Sequence, residues 1–409
     1  MKKKLFTLLF TAIICNISAT TIDVSSVEVE RGEAIVHDTI QPIISVSSSN
    51  EKYSLSIGGN INMRASYDFN GAIVYHPDFI TSLIPTPGVN DAQRRFSLDA
   101  TTSRVEVKGR AKTEKYGDVE LCLNMDFRGG SADSYTPRVR LAYISVANFV
   151  VGRNFTTFCD MGSAAPNIDF QGPSVCPYIY TTQIRYARSF KDDRLTVGVA
   201  MEYNPYESSS LSAEYDYQQQ YIPSIPAYVQ YAWGEQNSGH IRLTGLYKSI
   251  PLYNITEQST LNLSGWGAQL SGSIGVCSHL KLYYSGTCGE GITGYMQDSY
   301  ASGLDVTMST GANPTPTMTF MYGWQAAGLV QITDRMLMSA GYSEVNIEGD
   351  ASRFVDSDYR RGEYLFANLF YSLTPRIQLA AEYLWGSRTN NNSDRGTANR
   401  INTMIQYNF

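Results

Sequence analysis

The sequence predicts an all-β fold: a transmembrane antiparallel β-barrel of about sixteen strands, with one connection folded inward as a constriction loop. Three observations predict it: strict two-residue alternation of side chains, alternating short and long connections, and a final strand that ends on an aromatic residue. A barrel also explains how 409 residues can form one domain, because its wall is a single closed sheet rather than a packed interior.

The alternation of side chains is the first observation. Within residues 53–69 the odd positions are apolar or glycine, and the even positions are polar or glycine. The same rhythm recurs in residues 119–128, 195–203 and 377–385. Runs of this length cross a bilayer when they are tilted, so one face meets lipid and the other meets water.

The connections between these runs alternate in length. Short turns are predicted at 115–117, 191–193, 237–239, 333–335 and 374–376. Longer polar loops are predicted near 70–93, 204–222, 289–317, 347–360 and 387–396. Short periplasmic turns and longer outer loops are typical of barrels in the bacterial outer membrane, which is the location we predict.

The chain end is the third observation. Residues 401–409 alternate, and Ile401, Ile405, Tyr407 and Phe409 share one face. A terminal outward aromatic is the usual signal for insertion by the barrel assembly machinery, so that machinery and outer-membrane lipid are predicted partners.

The composition agrees, since 29 tyrosines suit the aromatic girdles of such barrels. A net charge of -6 argues against non-specific nucleic-acid binding.

The chain divides into three predicted parts. Residues 1–19 form a signal peptide, with Lys2 to Lys4 before a short apolar stretch and a cleavage position at Ala19. Residues 20–51 lack a sustained period and are predicted to be a flexible periplasmic arm. Residues 52–409 form the barrel.

The connection from 154 to 181 is too long for a periplasmic turn. We expect it to fold into the barrel and narrow it, with Asp160 and Asp169 in the segment that sets the aperture; a surface position outside the barrel is the alternative. Cys159 and Cys176 bracket this segment, and a disulfide between them is possible in the oxidising periplasm. Free thiols at both positions are the other possibility.

Basic residues gather on the predicted wet faces around this loop. The lumen-facing set is Arg104, Lys108, Arg110, Arg138, Arg140, Arg185 and Arg242. Such a set concentrates positive potential inside a low-dielectric wall and favours the passage of anions. The alternative is that each basic residue only pairs with a neighbouring carboxylate, such as Glu106, Asp126 or Glu202.

Enzymatic chemistry has little support in the sequence. The four histidines have no neighbouring nucleophile pattern and no metal-ligand spacing, and His240 is expected in a solvated turn. No phosphate-binding glycine loop and no Cys-x-x-Cys pair are present. We therefore predict that the protein is not an enzyme and uses no cofactor, metal or catalytic residue.

Several blocks of sequence resemble the DcaP-type porins. They are residues 102–105, 117–120, 126–127, 140–143, 151–158, 169–173, 183–186, 382–388 and 399–401. The resemblance implies a sixteen-stranded homotrimeric channel that prefers small anions such as dicarboxylates. Residues 21–50 lack the heptads of the N-terminal coiled coil found in some members.

The sequence supports two functions. The first is a porin that allows passive diffusion of small hydrophilic solutes, with anions favoured. The second is a plugged barrel that acts as a surface binding or adhesion protein, which would suit the tyrosine-rich stretch at 214–221. Conductance across a planar bilayer distinguishes the two.

Overall fold

A computed structural model describes residues 42–73, 76–89, 93–131, 134–204, 211–234, 238–311 and 313–409. The predicted signal peptide and most of the predicted arm lie outside these residues. Within the described residues, no helix is both long and apolar enough to cross a membrane.

The alternating runs fold as β-strands, because a period of two places one set of side chains on each face of a sheet. The strands are β1 (Pro42–Ser47), β2 (Tyr53–Asn70), β3 (Arg95–Asp99), β4 (Arg104–Thr113), β5 (Gly117–Asp126), β6 (Arg138–Val146), β7 (Phe149–Phe155), β8 (Tyr180–Phe190), β9 (Leu195–Tyr203), β10 (Tyr215–Tyr217), β11 (Ile225–Trp233), β12 (Gly239–Asn254), β13 (Ser259–Cys277), β14 (Leu280–Glu290), β15 (Val306–Met308), β16 (Pro316–Met318), β17 (Phe320–Thr333), β18 (Met336–Glu348), β19 (Tyr359–Ser372), β20 (Ile377–Asn390) and β21 (Arg395–Asn408). Short 3-10 turns lie at Thr81–Leu83, Met161–Ser163, Thr293–Tyr295, Tyr300–Ser302 and Ala351–Arg353.

Sixteen antiparallel crossings close into a barrel, as the sequence predicts. β3 and β4 pair with successive parts of β2 and together make one crossing. The barrel closes where the last strand, β21, pairs with the first crossing, β2, from Asn60 opposite Asn408 to Asn70 opposite Asn399. The small strands β1, β10, β15 and β16 lie outside this count.

The connections confirm the predicted asymmetry of the two ends, except that the longer loop predicted near 387–396 is wrong, since only residues 391–394 join β20 to β21. One end carries the turns at 114–116, 147–148, 191–194, 234–238, 278–279, 334–335 and 373–376, and the other end carries loops of up to 29 residues, at 291–319. By the usual rule for these barrels, the end with the long loops faces outward from the cell.

The faces of the strands follow the predicted alternation with one local exception. On β5, Leu121 is exposed on the outer surface, whereas Asn124 is buried on the lumen side. On β6, strict alternation from Val139 predicts that Tyr143 faces outward, and this prediction is wrong. The pairing of β5 with β6 is irregular beside Asn124, and a bulged strand reverses its faces beyond the irregularity. Tyr143 therefore lies opposite the lumen-facing Cys122, and Ile144 is exposed instead.

The end of the predicted arm is a strand. β1 pairs antiparallel with residues 54–58 of β2, which extend beyond the end of β21. The terminal Phe409 exchanges backbone hydrogen bonds with Gly59, so β1 begins where the C-terminus stops. Pro42–Ser47 therefore cover part of the edge that the shorter β21 leaves unpaired.

Apolar packing fills one side of the lumen. Loops 71–94, 156–179 and 291–319 contribute Phe79, Ile168 and Tyr295, which pack against apolar side chains of β12, β14 and β17–β21. The opposite wall, formed by β2–β6, is lined instead by charged and amide side chains. The candidate site lies between this polar wall and the inward loop.

Candidate functional site

Loop 156–179 folds into the lumen, which confirms the predicted constriction loop. Near its start, Asp160 accepts a hydrogen bond from Ser271 at 2.7 Å and bonds with His240 at 2.9 Å. Asp160 also accepts from the backbone N–H of Gly162 at 3.1 Å, which caps the turn that follows. Because it is buried against β12 and β13, Asp160 anchors the loop and does not line the opening.

Asp169 fastens the far part of the same loop. Its carboxylate lies 3.5 Å from the guanidinium of Arg64 on β2, and it accepts a hydrogen bond from the backbone N–H of Phe79 at 3.0 Å. The hydroxyl of Tyr364 on β19 donates to it at 3.2 Å. Asp169 is also buried and ties loop 156–179 to the wall and to loop 71–94, and it is one of the residues that line the cavity beside the loop.

Glu382 on β20 is an anchor that sequence reasoning missed. Its carboxylate accepts hydrogen bonds from the backbone N–H groups of Ile168 and Asp169, each at 2.8 Å. The hydroxyl of Ser339 donates to the carbonyl of Pro166 at 2.5 Å in the same stretch. The sequence does contain a sign of this role. Glu382 lies on the polar face of the alternating run at 377–385, where a buried carboxylate requires hydrogen-bond donors. The loop thus crosses the lumen between β12 and β20.

Arg138 and Arg140 share a carboxylate on the polar wall. Arg138 binds Asp126 through two hydrogen bonds, at 2.9 and 2.5 Å. Arg140 lies 3.6 Å from Asp126 and donates to the hydroxyl of Tyr180 at 2.8 Å and to Asn124 at 3.0 Å. Arg140 is fully buried, whereas Arg138 is 29 % exposed. Of the two, only Arg138 presents charge to the lumen.

Lys108 and Arg110 lie toward the periplasmic end of β4. Lys108 pairs with Glu106 at 2.7 Å, and Arg110 pairs with Asp118. Both basic side chains are about half exposed, while the carboxylate of Glu106 is 7 % exposed. These pairs lie nearer the mouth of the barrel than the inward loop does.

Three arginine side chains lie close to the ring of Phe170 on the inward loop. The centre of its ring lies 4.6 Å from Arg128, 5.9 Å from Arg138 and 6.0 Å from Arg104. Sequence reasoning did not single out Arg128, which also pairs with Asp78 at 2.8 Å. Contacts of cations with the ring face hold these planar groups against the aromatic surface.

Arg185 and Arg242 form a separate group. Arg242 on β12 packs 3.8 Å above the ring of Tyr228, donates to Thr244 at 3.1 Å and bonds to the carbonyl of Thr157. Arg185 on β8 is half-buried and lies opposite Ala200 of β9. The predicted basic set is thus divided between the wall of β4–β6 and the wall of β8–β12.

Two ion pairs on β4–β6 share an asymmetry of exposure, whereas Arg64 on β2 is as deeply buried as its partners Asp78 and Asp99. Exposure falls from 50 % at Lys108 to 7 % at Glu106, and from 29 % at Arg138 to zero at Asp126. The pairing predicted as the alternative therefore occurs, yet Lys108 and Arg138 are each more exposed to the lumen than the carboxylates they pair with. A cavity beside the loop reaches this wall, and its lining includes Asn60, Asn62, Arg104, Phe170 and Tyr178.

His240 and the pair Cys159 and Cys176 lie at the inward loop. The prediction for His240 is wrong, and both alternatives for the cysteine pair remain. The expectation that His240 is a solvated turn residue is wrong: it is buried and bonds to Asp160 and, at 3.1 Å, to Ser273. Cys159 and Cys176 are free, buried thiols that contact each other. Within the described residues, no group of three or more His, Cys, Asp or Glu side chains could hold a metal ion.

Several solved structures of outer-membrane proteins have a fold similar to that of this chain. The channel DcaP of Acinetobacter baumannii has the same fold, with a TM-score of 0.75 and 18 % identity over 89 % of this chain and 99 % of that one. OmpT of Vibrio cholerae, in its trimer form, gives a TM-score of 0.53 and 14 % identity over 87 % and 99 %. OmpF of Salmonella typhi gives 0.55 and 11 % over 90 % and 100 %.

Of the two comparisons of the sequence, the one with protein-family models gives a match. No curated protein matches the chain significantly. The structural neighbours are channels and porins rather than enzymes, in agreement with the sequence prediction. The model of the DcaP outer membrane protein family matches residues 29–219, which include the first seven crossings and the inward loop. The protein is therefore a β-barrel of the outer membrane that is similar to the DcaP outer membrane protein family over residues 29–219.

Proposed function

We propose that the protein is a porin that lets small hydrophilic solutes diffuse passively and favours anions such as dicarboxylates. The observation that carries this proposal is the asymmetry of exposure at the two ion pairs on β4–β6. A solute that passes Arg138 or Lys108 meets the cation first, because Asp126 and Glu106 lie behind it. An arginine also offers a fork of donors that matches a carboxylate.

The arrangement of the lumen supports the same path. Apolar packing closes the side lined by β17–β21, so the cavity beside the loop lies against the polar wall. There the rings of Phe170 and Tyr180 hold the guanidinium groups of Arg128 and Arg138, which also pair with Asp78 and Asp126. In a narrow passage with low-dielectric walls, such charges act on ions over distances comparable with the opening, because the Debye length at physiological salt is about 8 Å.

The test is a reversal potential under a salt gradient across a planar bilayer. We expect the wild-type channel to favour anions and the preference to shrink as salt is raised. Replacing both Lys108 and Arg138 with Ser should reduce or invert the preference, whereas Arg140→Ser should change it less because that residue is buried. Arg188→Ser is the matched control, since Arg188 lies on the outer face opposite Val197.

Two outcomes contradict the anion preference. One is a wild-type channel that already favours cations. The other is a double variant with unchanged selectivity, which would make these residues structural partners of their carboxylates.

A second candidate is a plugged barrel with a binding function. The packing of loops 71–94, 156–179 and 291–319 inside the lumen favours it. The same bilayer recording decides between the two, since a plugged barrel gives no steady single-channel current.

We also propose that the protein assembles as a homotrimer and is inserted by the barrel assembly machinery. The trimer form of OmpT from Vibrio cholerae, which shares this fold, supports the first part. The terminal Phe409 at the edge of β2 supports the second. Cross-linking in native membranes tests the trimer, and deletion of Phe409 with measurement of folded barrel tests the insertion signal.

A further inference from the structure

Four charged residues form a cluster on the outer surface of the barrel rather than in its lumen. They are Glu344 on β18, Arg361 and Glu363 on β19, and Arg395 on β21. Glu363 stands directly opposite Glu344 on the neighbouring strand. Its chain neighbours, Gly362 and Tyr364, are buried on the lumen side, so Glu363 points away from the lumen.

The depth of this cluster in the membrane follows from its surroundings. Charged side chains on the lipid face cost about 2–4 kcal/mol at the midplane but about 0–1 kcal/mol near the interface. Next to the cluster, the rings of Trp324 and Tyr342 pack 5.4 Å apart, and Trp324 is exposed. Aromatic residues of this kind mark the level of the lipid headgroups. Since β18 and β19 end here in loop 349–358, the level is that of the outer leaflet.

The carboxylates of the cluster are held in place by neutral donors. Glu363 accepts hydrogen bonds from Ser387 at 2.6 Å and from Tyr342 at 2.9 Å. Glu344 accepts from the side-chain amide of Asn346 at 2.9 Å. These contacts fix two anions against the wall, where they are only 14 % and 17 % exposed.

The two arginines project from these fixed carboxylates. Arg395 binds Glu363 at 2.7 Å, and Arg361 lies 3.0 Å from Glu344 and 3.4 Å from Glu363. Their side chains are 52 % and 46 % exposed, so each keeps part of its guanidinium fork turned outward. The two arginines are held side by side by two carboxylates that are more deeply buried than they are, which preorganises their outward forks for a single multivalent anion.

We propose that Arg361 and Arg395 bind a phosphate group of the phosphorylated glycolipid that forms the outer leaflet of bacterial outer membranes. At headgroup depth this phosphate is the anion present in greatest number, and arginine pairs with phosphate through two parallel hydrogen bonds. The site lies on the opposite face of the wall from the lumen, so it is independent of the channel function proposed above.

The test measures lipid binding by native mass spectrometry. Protein refolded without lipid is titrated with diphosphoryl lipid A, with monophosphoryl lipid A and with phosphatidylglycerol. We expect the diphosphoryl lipid to bind most tightly. Replacing Arg361 and Arg395 together with Ser should weaken its binding roughly thirtyfold, because each basic residue near an anionic surface contributes about fivefold. Arg188→Ser should bind as wild type does, since Arg188 is an outward arginine at the other end of the barrel.

Further readouts separate this proposal from the alternatives. Heat-modifiable gel mobility verifies that each variant is folded, and conductance should be unchanged in all of them. Replacing both arginines with Lys keeps the charge but removes the fork, so intermediate binding is expected. Equal binding of diphosphoryl lipid A by the wild type and the Ser variant would overturn the proposal. So would dissociation of the oligomer without loss of lipid binding, which would make the cluster a contact between subunits.

Discussion

His240 and Asp160 are joined by a 2.9 Å hydrogen bond between Nε2 and Oδ2, although they lie eighty positions apart in the chain. The other ring nitrogen of His240 contacts Ser273 at 3.1 Å, and Asp160 also accepts from Ser271. Both partners are buried. The start of the inward loop is therefore fixed to two neighbouring strands of the wall, β12 and β13.

Removing this anchor should loosen the constriction. Asp160→Ala leaves His240 and Ser271 buried without their acceptor, which should lower the free energy of unfolding by about 1–3 kcal/mol. The single-channel current should fluctuate more than in the wild type. Asp350→Ala is the control, because Asp350 is an exposed cap of a surface turn. A quiet, wild-type current in Asp160→Ala would show that the other contacts of the loop suffice.

A disulfide should form between Cys159 and Cys176 in protein isolated from the outer membrane, since the chain passes through the oxidising periplasm. Their thiols are already in contact, and the bond would close a loop whose cross-linking stabilises the fold by about 3 kcal/mol. Mass spectrometry of unreduced peptides should show the two residues linked, while Cys277 on β13 is alkylated as an exposed thiol. Alkylation of Cys159 and Cys176 without reduction would rule the bond out.

Leu123 tests the orientation of β5. Leu123 is exposed on the outer face, so Leu123→Arg should cost about 2–4 kcal/mol near the midplane and impair assembly. Glu120→Arg places the same side chain on the lumen side of that strand, where it is exposed, and should be far milder. Heat modifiability in detergent measures both variants. Equal damage would mean that the two faces are assigned wrongly.

Asp298 in loop 291–319 makes stability depend on pH. Burial raises the pKa of its carboxyl, and hydrogen bonds from Tyr359 and Thr81 only partly oppose this shift. A raised pKa in the folded state means that the contribution of Asp298 to stability is complete below the unfolded value of about 3.9. That contribution is lost as pH rises through the raised value.

The midpoint of thermal unfolding, measured in detergent from about pH 4 to about pH 7.5, checks this expectation. Relative to Asp298→Asn, the wild type should lose stability across that range. Asp350→Asn is the control that should run parallel to the wild type over this range, because a hydrogen bond from Ser352 lowers the pKa of Asp350 and its contribution changes only at lower pH. Parallel curves for the wild type and Asp298→Asn would show that Asp298 does not titrate in this range.

Much of the architecture follows from the pattern of residues along the chain. That pattern predicts the count of crossings, the outward face of Leu121 and the inward course of loop 156–179. It does not predict the direction of Tyr143, because an irregularity in strand pairing leaves no mark in a pattern of apolar and polar residues. Asn124 shows the same gap: it is polar and faces the lumen, yet it is buried between Glu106 and Arg140.

The sequence by itself determined which residues face lipid wherever strand pairing is regular, because a period of two assigns the side chains of such a strand to alternate faces of the sheet. Only the tertiary structure decided which charges meet. Asp169 contacts Arg64, although the two residues lie 105 positions apart in the chain. Phe170 lies among Arg104, Arg128 and Arg138. Both contacts form because barrel closure and the inward course of the loop bring distant segments of the chain together. Exposure of the cation and burial of its carboxylate likewise depend on that packing, and on no pattern along the chain.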